Sequence, residues 1–246
     1  MSNVSGAAHA IRRTGLILAG GRSSRIGRTK ALIQLGGEPL LLHVGRRLQR
    51  LCDELIVVAA PRDALSAADS AALEACIETL RTAPAGHPAP HFAVALAHDV
   101  QAFQGPTSGL AIGLAAARGA VAFAAGCDAP FLQQPLLERF FALAEETRCD
   151  LVIPRFPDDR FQPLVAAYRT ATMAPHFARQ LAAGVRKPTA WLDALAVRIV
   201  EADEIRALDP DAASFRNVNT EADLTAAQAE LVAAQARTAP QGDDER

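Results

Sequence analysis

Four short aliphatic segments, closed in turn by a glycine, a proline, a His-Asp pair and a glycine and each followed by a helix-length amphipathic stretch, leave this chain few folds to choose from. The segments are residues 14–19, 54–60, 92–97 and 120–125. All four read as strands, and the first two, short and almost wholly apolar, carry the signature of a strand covered on both faces. Between and after them, residues 39–50, 65–80, 107–118 and 135–147 carry apolar side chains at helical spacing; in the first, Leu40, Leu41, Val44, Leu48 and Leu51 share one side. Strand and helix in strict alternation predict a mostly parallel sheet with helices on both faces, an α/β three-layer sandwich. Residues 82–91, with three prolines and a glycine, read as a surface loop.

The last hundred residues change pattern. Residues 150–155 and 161–168 flank Pro157-Asp158-Asp159-Arg160, a strong turn signal, and predict a hairpin-like antiparallel addition to the sheet. A helix over 172–183, the basic pair Arg186-Lys187, a strand over 197–200 and a helix over 221–234 capped by Thr220 follow. No repeat and no linker interrupts the pattern, so residues 14–236 read as a single domain, with a loose leader over 1–13 and a polar, disordered tail over 237–246. The chain of 246 residues is long enough for a sizeable core.

Composition removes several function classes. No apolar run reaches the roughly 18 residues needed to cross a bilayer. The segment after Arg12 and Arg13 ends in Gly20-Gly21-Arg22, unlike a cleavage site. No membrane association and a cytoplasmic location are therefore expected. A net charge of −2 gives no general affinity for polyanions, and one Trp and one Tyr offer little to stack bases on, so no nucleic-acid partner is expected. Cys52, Cys76, Cys127 and Cys149 are far apart with no C-x-x-C spacing, and read as buried thiols rather than a zinc site.

Open sheets of this kind bind ligands beyond the carboxyl ends of their strands. The first strand ends there in Leu18-Ala19-Gly20-Gly21-Arg22-Ser23-Ser24-Arg25-Ile26-Gly27-Arg28-Thr29-Lys30. Its glycines allow close approach of backbone N–H groups and its cations neutralise phosphate, although a solvated basic turn has the same composition. Neither a Walker loop nor a dinucleotide fingerprint is present. Asp128, just past the fourth strand, is a candidate Mg²⁺ ligand or a local cap. Asp99 lies past the third strand. Gly105-Pro106-Thr107-Ser108-Gly109 enters a helix N-terminus suited to an anion or ribose, or simply starts a helix. Asn217 and Asn219 place two amides on one side of an extended segment, to meet a polar ligand or to tie down a loop.

Together and in order, LAGGRSSRIGRTK (18–30), GGEPLL (36–41), GPTSG (105–109), GCDAP (126–130) and FRNVNTEADL (215–224) resemble the molybdenum cofactor guanylyltransferases, within the nucleotidyltransferase-like α/β superfamily. The resemblance spans nearly the whole chain. It implies a Rossmann-like nucleotidyltransferase fold and Mg²⁺-dependent transfer of GMP from GTP to molybdopterin, with release of pyrophosphate. It implies that Leu18, Ala19, Gly20 and Gly21 hold the nucleoside end through their backbone. Lys30 then contacts phosphate, Arg25 stabilises transition-state charge, Asp99 binds nucleotide and Asp128 binds Mg²⁺. Asn217 and Asn219, with Arg186 and Lys187, would face the pterin. A labile product makes cofactor-insertion proteins or apo-molybdoenzymes the expected protein partners.

Thr29 stands where the family commonly has Asp, and Ala59 where it has a nucleotide-contacting Asn. Two other readings remain: a cytidylyl- or sugar-phosphate nucleotidyltransferase on the same scaffold, and a non-catalytic GTP-binding protein that delivers cofactor. The LAGG form, GCDAP and NVN favour guanylyl transfer over the first. Retention of Arg25, Lys30 and Asp128 favours catalysis over the second.

Overall fold

The structure, a computed structural model, describes residues 13–21, 29–82, 92–100 and 105–238. The expected leader up to residue 12, the loop over 83–91 and the tail from 239 onward lie outside them, whereas Arg13, expected to close the leader, is the first residue of a strand.

Arg13–Ala19 (β1), Glu54–Ala59 (β4), Ala93–His98 (β5) and Val121–Gly126 (β6) are the four aliphatic segments, each within one residue of its expected limits. A two-residue hairpin, Gln34–Leu35 (β2) and Glu38–Pro39 (β3), precedes β4. Leu151–Pro154 (β7), Val165–Arg169 (β8) and Val197–Val200 (β9) complete the strands. The main sheet has the order β5-β4-β1-β6-β8-β7-β9. The pairs β1–β4, β1–β6, β4–β5 and β7–β9 are parallel. Among the described strands of this sheet β8 alone runs against the rest, pairing antiparallel with both β6 and β7. The expected hairpin thus exists, but its second strand is the one that joins the sheet, wedged between β6 and β7. That strand also starts later than its apolar pattern suggests. Pro163 has no N–H for a ladder, and the Gln162 carbonyl takes the Val165 N–H at 3.2 Å, so the chain is still turning there.

Helices Leu40–Gln49 (α1), Ala67–Arg81 (α2), Pro106–Ala116 (α3), Gln134–Thr147 (α4) and Thr170–Ala182 (α5) fall within two residues of expectation. Side chains alternate between the two faces of the buried strands. Ile17, Val57 and Phe123 face α1, α2 and α4, whereas Leu16, Ile56 and Ala124 face α3 and α5. Phe123 packs against Phe140 and Phe141 with ring centroids 5.9 and 6.0 Å apart. A fully buried side chain of that size contributes about 1.5–3 kcal/mol. Glycines set the layer spacing on the other face: a Cβ at Gly113 of α3 would stand 2.2 Å from Leu16 Cδ1 on β1.

Two elements escape the sequence pattern. The β2–β3 hairpin turns at Gly36-Gly37, with φ of 61° and 84°, values that glycine adopts without strain. Ala202–Leu208 (α6) is a short helix closed by a Glu201/Glu204 capping box. The last helix, Glu221–Thr238 (α7), begins at the expected cap: Thr220 Oγ1 accepts from the Asp223 N–H at 3.1 Å. It runs past the expected end and through residues 237 and 238, which the tail was expected to include. With the hairpin and Val218 it forms a third apolar cluster around Leu35, Leu40 and Phe131.

At the amino ends of the central strands a buried carboxylate joins three elements. Glu54 Oε1 accepts from Thr14 Oγ1 and from the Arg118 N–H, each at 2.7 Å, and Oε2 accepts from Arg118 Nε at 3.0 Å. Among the described residues no helix is long and apolar enough to cross a membrane.

Candidate active site at the strand ends

The chain passes from β1 to β4 and β5 on one side, then returns to β6 on the other side of β1. Two crossovers leaving in opposite directions open a crevice at the carboxyl ends of β1 and β6. Gly20 and Gly21 follow β1, and the Lys30 N–H returns to the Gly21 carbonyl at 3.3 Å, closing the loop between them. Arg25 lies inside that loop and outside the described residues. Beyond β6 the Cys127 N–H donates to the Leu18 carbonyl at 3.1 Å, which carries the pairing one step further and delivers Asp128 beside the glycine loop.

There Lys30 Nζ meets Asp128 Oδ2 at 3.1 Å and also donates to Asn219 Oδ1. The Asp128 carbonyl accepts from the Val218 N–H at 2.8 Å. Asn219 in turn is fixed through its own N–H, which donates to Asp223 Oδ2 at 2.9 Å. That bond and the Thr220 cap hold the Asp223 carboxyl below its usual range, with a smaller contribution from the Lys30 charge. The C-terminal segment therefore does tie down a neighbouring segment, holding the Lys30 side chain and the Asp128 backbone. The Lys30 and Asp128 side chains keep 20% and 17% exposure. The pair is mostly buried, with a residual exposed edge through which a ligand can reach it.

Asp128 Oδ1 lies where a Cβ on Gly126 would be only 2.5 Å away, so this glycine makes room for the carboxylate. Among the described residues Oδ1 has no hydrogen-bond partner. One open carboxylate oxygen beside a cation fits Mg²⁺, which takes one or two carboxylates and completes its shell with phosphate and water.

The opposite wall comes from β5 and α3. The Asp99 N–H donates to the Ala59 carbonyl at 2.9 Å, and Asp99 Oδ1 accepts from Ser108 Oγ at 2.6 Å. Gly105, with φ of 80°, turns the chain into α3 behind Pro106. A Cβ at Gly109 would come within 2.9 Å of Leu18, so the glycine lets α3 approach β1. Leu18, Gly20, Gly21, Lys30, Asp99 and Asp128 share one cleft of about 410 Å³. Ala19, expected to contribute its backbone, is buried in the core and does not line this cleft.

Arg186 and Lys187 are both exposed. The Arg186 carbonyl accepts from Thr107 Oγ1 at 2.5 Å, which sets this segment against the turn into α3. Asn217 is exposed beside Val218. Two contributors have no sequence signal. Leu164, just before β8, lines the same cleft, and Asp69 of α2 accepts from Thr29 Oγ1 at 3.1 Å next to Lys30. A larger hollow of about 530 Å³ lies on the α2 side of Gly20-Gly21, lined also by Thr29, Ser66 and Asp69. Burial raises the Cys127 thiol far above its usual range, with the Asp128 charge adding to it, and this removes it as a nucleophile.

Comparison with known proteins agrees with this geometry. A protein-family model described as a MobA-like NTP transferase domain matches residues 15–197. A molybdenum cofactor guanylyltransferase of Desulfosudis oleivorans is 31% identical over 222 residues, covering 89% of this chain and 96% of its own. One from Burkholderia vietnamiensis is 37% identical over 183 residues, 72% of this chain and 80% of its own. Among solved structures, molybdopterin-guanine dinucleotide biosynthesis protein A from Archaeoglobus fulgidus superposes with a TM-score of 0.69 at 24% identity, covering 89% of this chain and 99% of that one. The 2-C-methyl-D-erythritol 4-phosphate cytidylyltransferase of Thermus thermophilus, at 0.57 and 19% identity over 88% and 98%, has the same fold. With the family model spanning both walls of the cleft and the relatives matching along most of their length, the chain belongs to the MobA-like nucleotidyltransferases.

Proposed function

We propose that this protein is a molybdenum cofactor guanylyltransferase, moving GMP from GTP onto the phosphate of molybdopterin and releasing pyrophosphate. The observation that carries the reading is the Lys30–Asp128 pair at two adjacent parallel strand ends, with a carboxylate oxygen open to the cleft. Relatives of 31–37% identity bearing that name support the choice of donor and acceptor.

In this reaction an acceptor phosphate oxygen forms a bond to the α-phosphorus of GTP while the bond to the β-phosphate oxygen breaks. Such transfers need little covalent help, and alignment and charge neutralisation dominate. The backbone of Leu18, Gly20 and Gly21 holds the nucleoside end and Asp99, braced by Ser108, contacts the nucleotide. Lys30 leaves Asp128 for the triphosphate and neutralises charge on the leaving pyrophosphate. Bound at Asp128, Mg²⁺ would supply charge neutralisation at the phosphate oxygens. Arg25 stabilises transition-state charge from the glycine loop. Asn217 faces the acceptor, as do Arg186 and Lys187 from the rim beside Gly105. Asn219 positions Lys30 through the bond described above. GTP and a labile pterin product place the reaction in the cytoplasm and its product with a cofactor-insertion protein or an apo-molybdoenzyme.

The deciding experiment is pyrophosphate release by the purified protein with Mg²⁺ and molybdopterin, offering GTP, CTP and ATP in parallel. Release with GTP alone is expected. Release with CTP alone would move the enzyme to the cytidylyltransferases. GTP binding without release would make it a carrier.

A further inference from the structure

Outside the strand-end cleft a second, smaller recess of about 370 Å³ lies between the turn that connects β7 to β8 and the segment leading into α7. Its size is that of a small-molecule pocket. Three half-buried phenylalanines shape it: Phe156 and Phe161 from the turn, and Phe215 from the facing segment. Phe156 and Phe215 meet edge to face, with centroids 5.1 Å apart. Two residues with hydrogen-bonding side chains, Gln162 and Asp211, line the same recess. Neither has a side-chain partner among the described residues.

Both walls are preformed. The turn is locked by the Phe156 N–H to the Arg160 carbonyl and the Asp159 N–H to the Phe156 carbonyl, each at 2.9 Å. Buried Asp209 holds the other wall, accepting from the N–H groups of Ala213 and Ser214 at 2.8 Å each. Arg216 is fixed by both carboxylate oxygens of Glu230, at 2.7 and 2.8 Å, and Arg160 pairs with Asp158. The two cations are thus already compensated. The recess selects by ring faces and a hydrogen-bonding edge, not by net positive charge.

We infer that this recess binds the pterin ring of the acceptor. The inference rests on the reading given under Proposed function and adds to it a seat for the pterin ring, beyond the part of the acceptor that Asn217, Arg186 and Lys187 face. A 2-amino-4-oxopyrimidine edge presents two parallel N–H donors, which a carboxylate accepts together, and carries a carbonyl oxygen and ring nitrogen that an amide can complement. Asp211 and Gln162 supply those groups, and the phenylalanines supply ring faces and edges. The position is also right. Phe215 is three residues from Val218, whose N–H is bonded to the Asp128 carbonyl, and three residues of extended chain span at most about 10 Å. A fused-ring heterocycle seated against Phe215 can therefore extend its phosphate arm along 216–218 toward Lys30.

Guanine carries the same pyrimidine edge, so the test must separate the two rings. The phosphate ester of 6-hydroxymethylpterin, which is fluorescent, is titrated into the full-length protein and into Asp211→Asn, with GTP titrated in parallel. Asp211 and Arg160 are exposed, and thermal melts of Asp211→Asn and Arg160→Ala should match the unmodified protein. Losing one of two paired acceptors should weaken pterin-phosphate binding about 10-fold or more while leaving GTP affinity unchanged. Equal pterin affinity in both proteins would overturn the assignment and leave guanylyl transfer untouched. A parallel fall in GTP affinity would overturn it in favour of guanine. Failure of the unmodified protein to bind the pterin phosphate would also overturn it. Failure of the reaction itself is read separately, from GTP-dependent pyrophosphate release.

Discussion

Replacing Glu54 with alanine should cost stability without touching chemistry. Glu54 is 1% exposed and accepts from Thr14 Oγ1, the Arg118 N–H and Arg118 Nε. Thr14 is fully buried, so its hydroxyl loses its acceptor outright, at about 1–3 kcal/mol. The Arg118 N–H lies near the surface and is partly rescued by water, at about 1 kcal/mol. The Gly119 N–H keeps Thr14 Oγ1 at 3.0 Å and adds little. The expected loss is about 3 kcal/mol, a drop of about 1–2 M in the urea midpoint. Glu54→Gln keeps an acceptor for Thr14 and for the Arg118 N–H, and its new amide faces a guanidinium that is 62% exposed and can turn to water. About 1 kcal/mol is expected there. Because Glu54 sits at the amino end of β4 and the cleft at the carboxyl ends, kcat and KM per folded molecule should not change. A midpoint shift below about 0.3 M for Glu54→Ala, or a kcat loss at unchanged stability, would refute the account.

Asp128→Asn should lower turnover on the order of 10²–10³-fold with an unchanged melting temperature, and near-normal turnover would remove Asp128 from the metal site. Lys30→Ala should weaken GTP binding far more than guanosine binding, measured by calorimetry; equal losses would contradict a phosphate contact. Gly113→Ala should destabilise by about 1–3 kcal/mol despite the better helix former, because its methyl would overlap the buried Leu16; an unchanged melt would show that α3 can retreat. Burial raises the Cys52 and Cys127 thiols, so little thiolate exists at pH 8 and both should resist alkylation in the folded protein but react in urea. Rapid labelling of either in native buffer would show that the core opens.

The sheet's central strands were legible because each is a closed aliphatic run with a glycine, proline or His-Asp pair at its end. β8 was less so, since its apolar pattern continues upstream through Phe161, whereas the ladder begins only after Pro163. The β2–β3 hairpin is too short for periodicity, and only Gly36-Gly37 marks it. At the site, Lys30, Asp99 and Asp128 could be placed because they follow strand ends, where the fold itself dictates the location. Asp69 could not, because it reaches Thr29 from α2 through a side-chain contact, and Leu164 could not, because its place beside the end of β6 depends on the antiparallel insertion of β8. Arg186 shows the limit of sequence neighbourhood: its position in the chain says nothing of the turn into α3 that it meets.

The bond from Lys30 to Asn219 joins residues 189 positions apart. At roughly 5–20 residues per second of synthesis, the amide that steadies this lysine reaches the growing chain about 10–40 s after the lysine itself. The glycine loop emerges well before Asn219, so its cation has no brace from that residue until α7 is about to be made. A nascent chain therefore carries every other described part of the nucleotide cleft before it carries this one, and the braced arrangement waits for the segment that leads into α7.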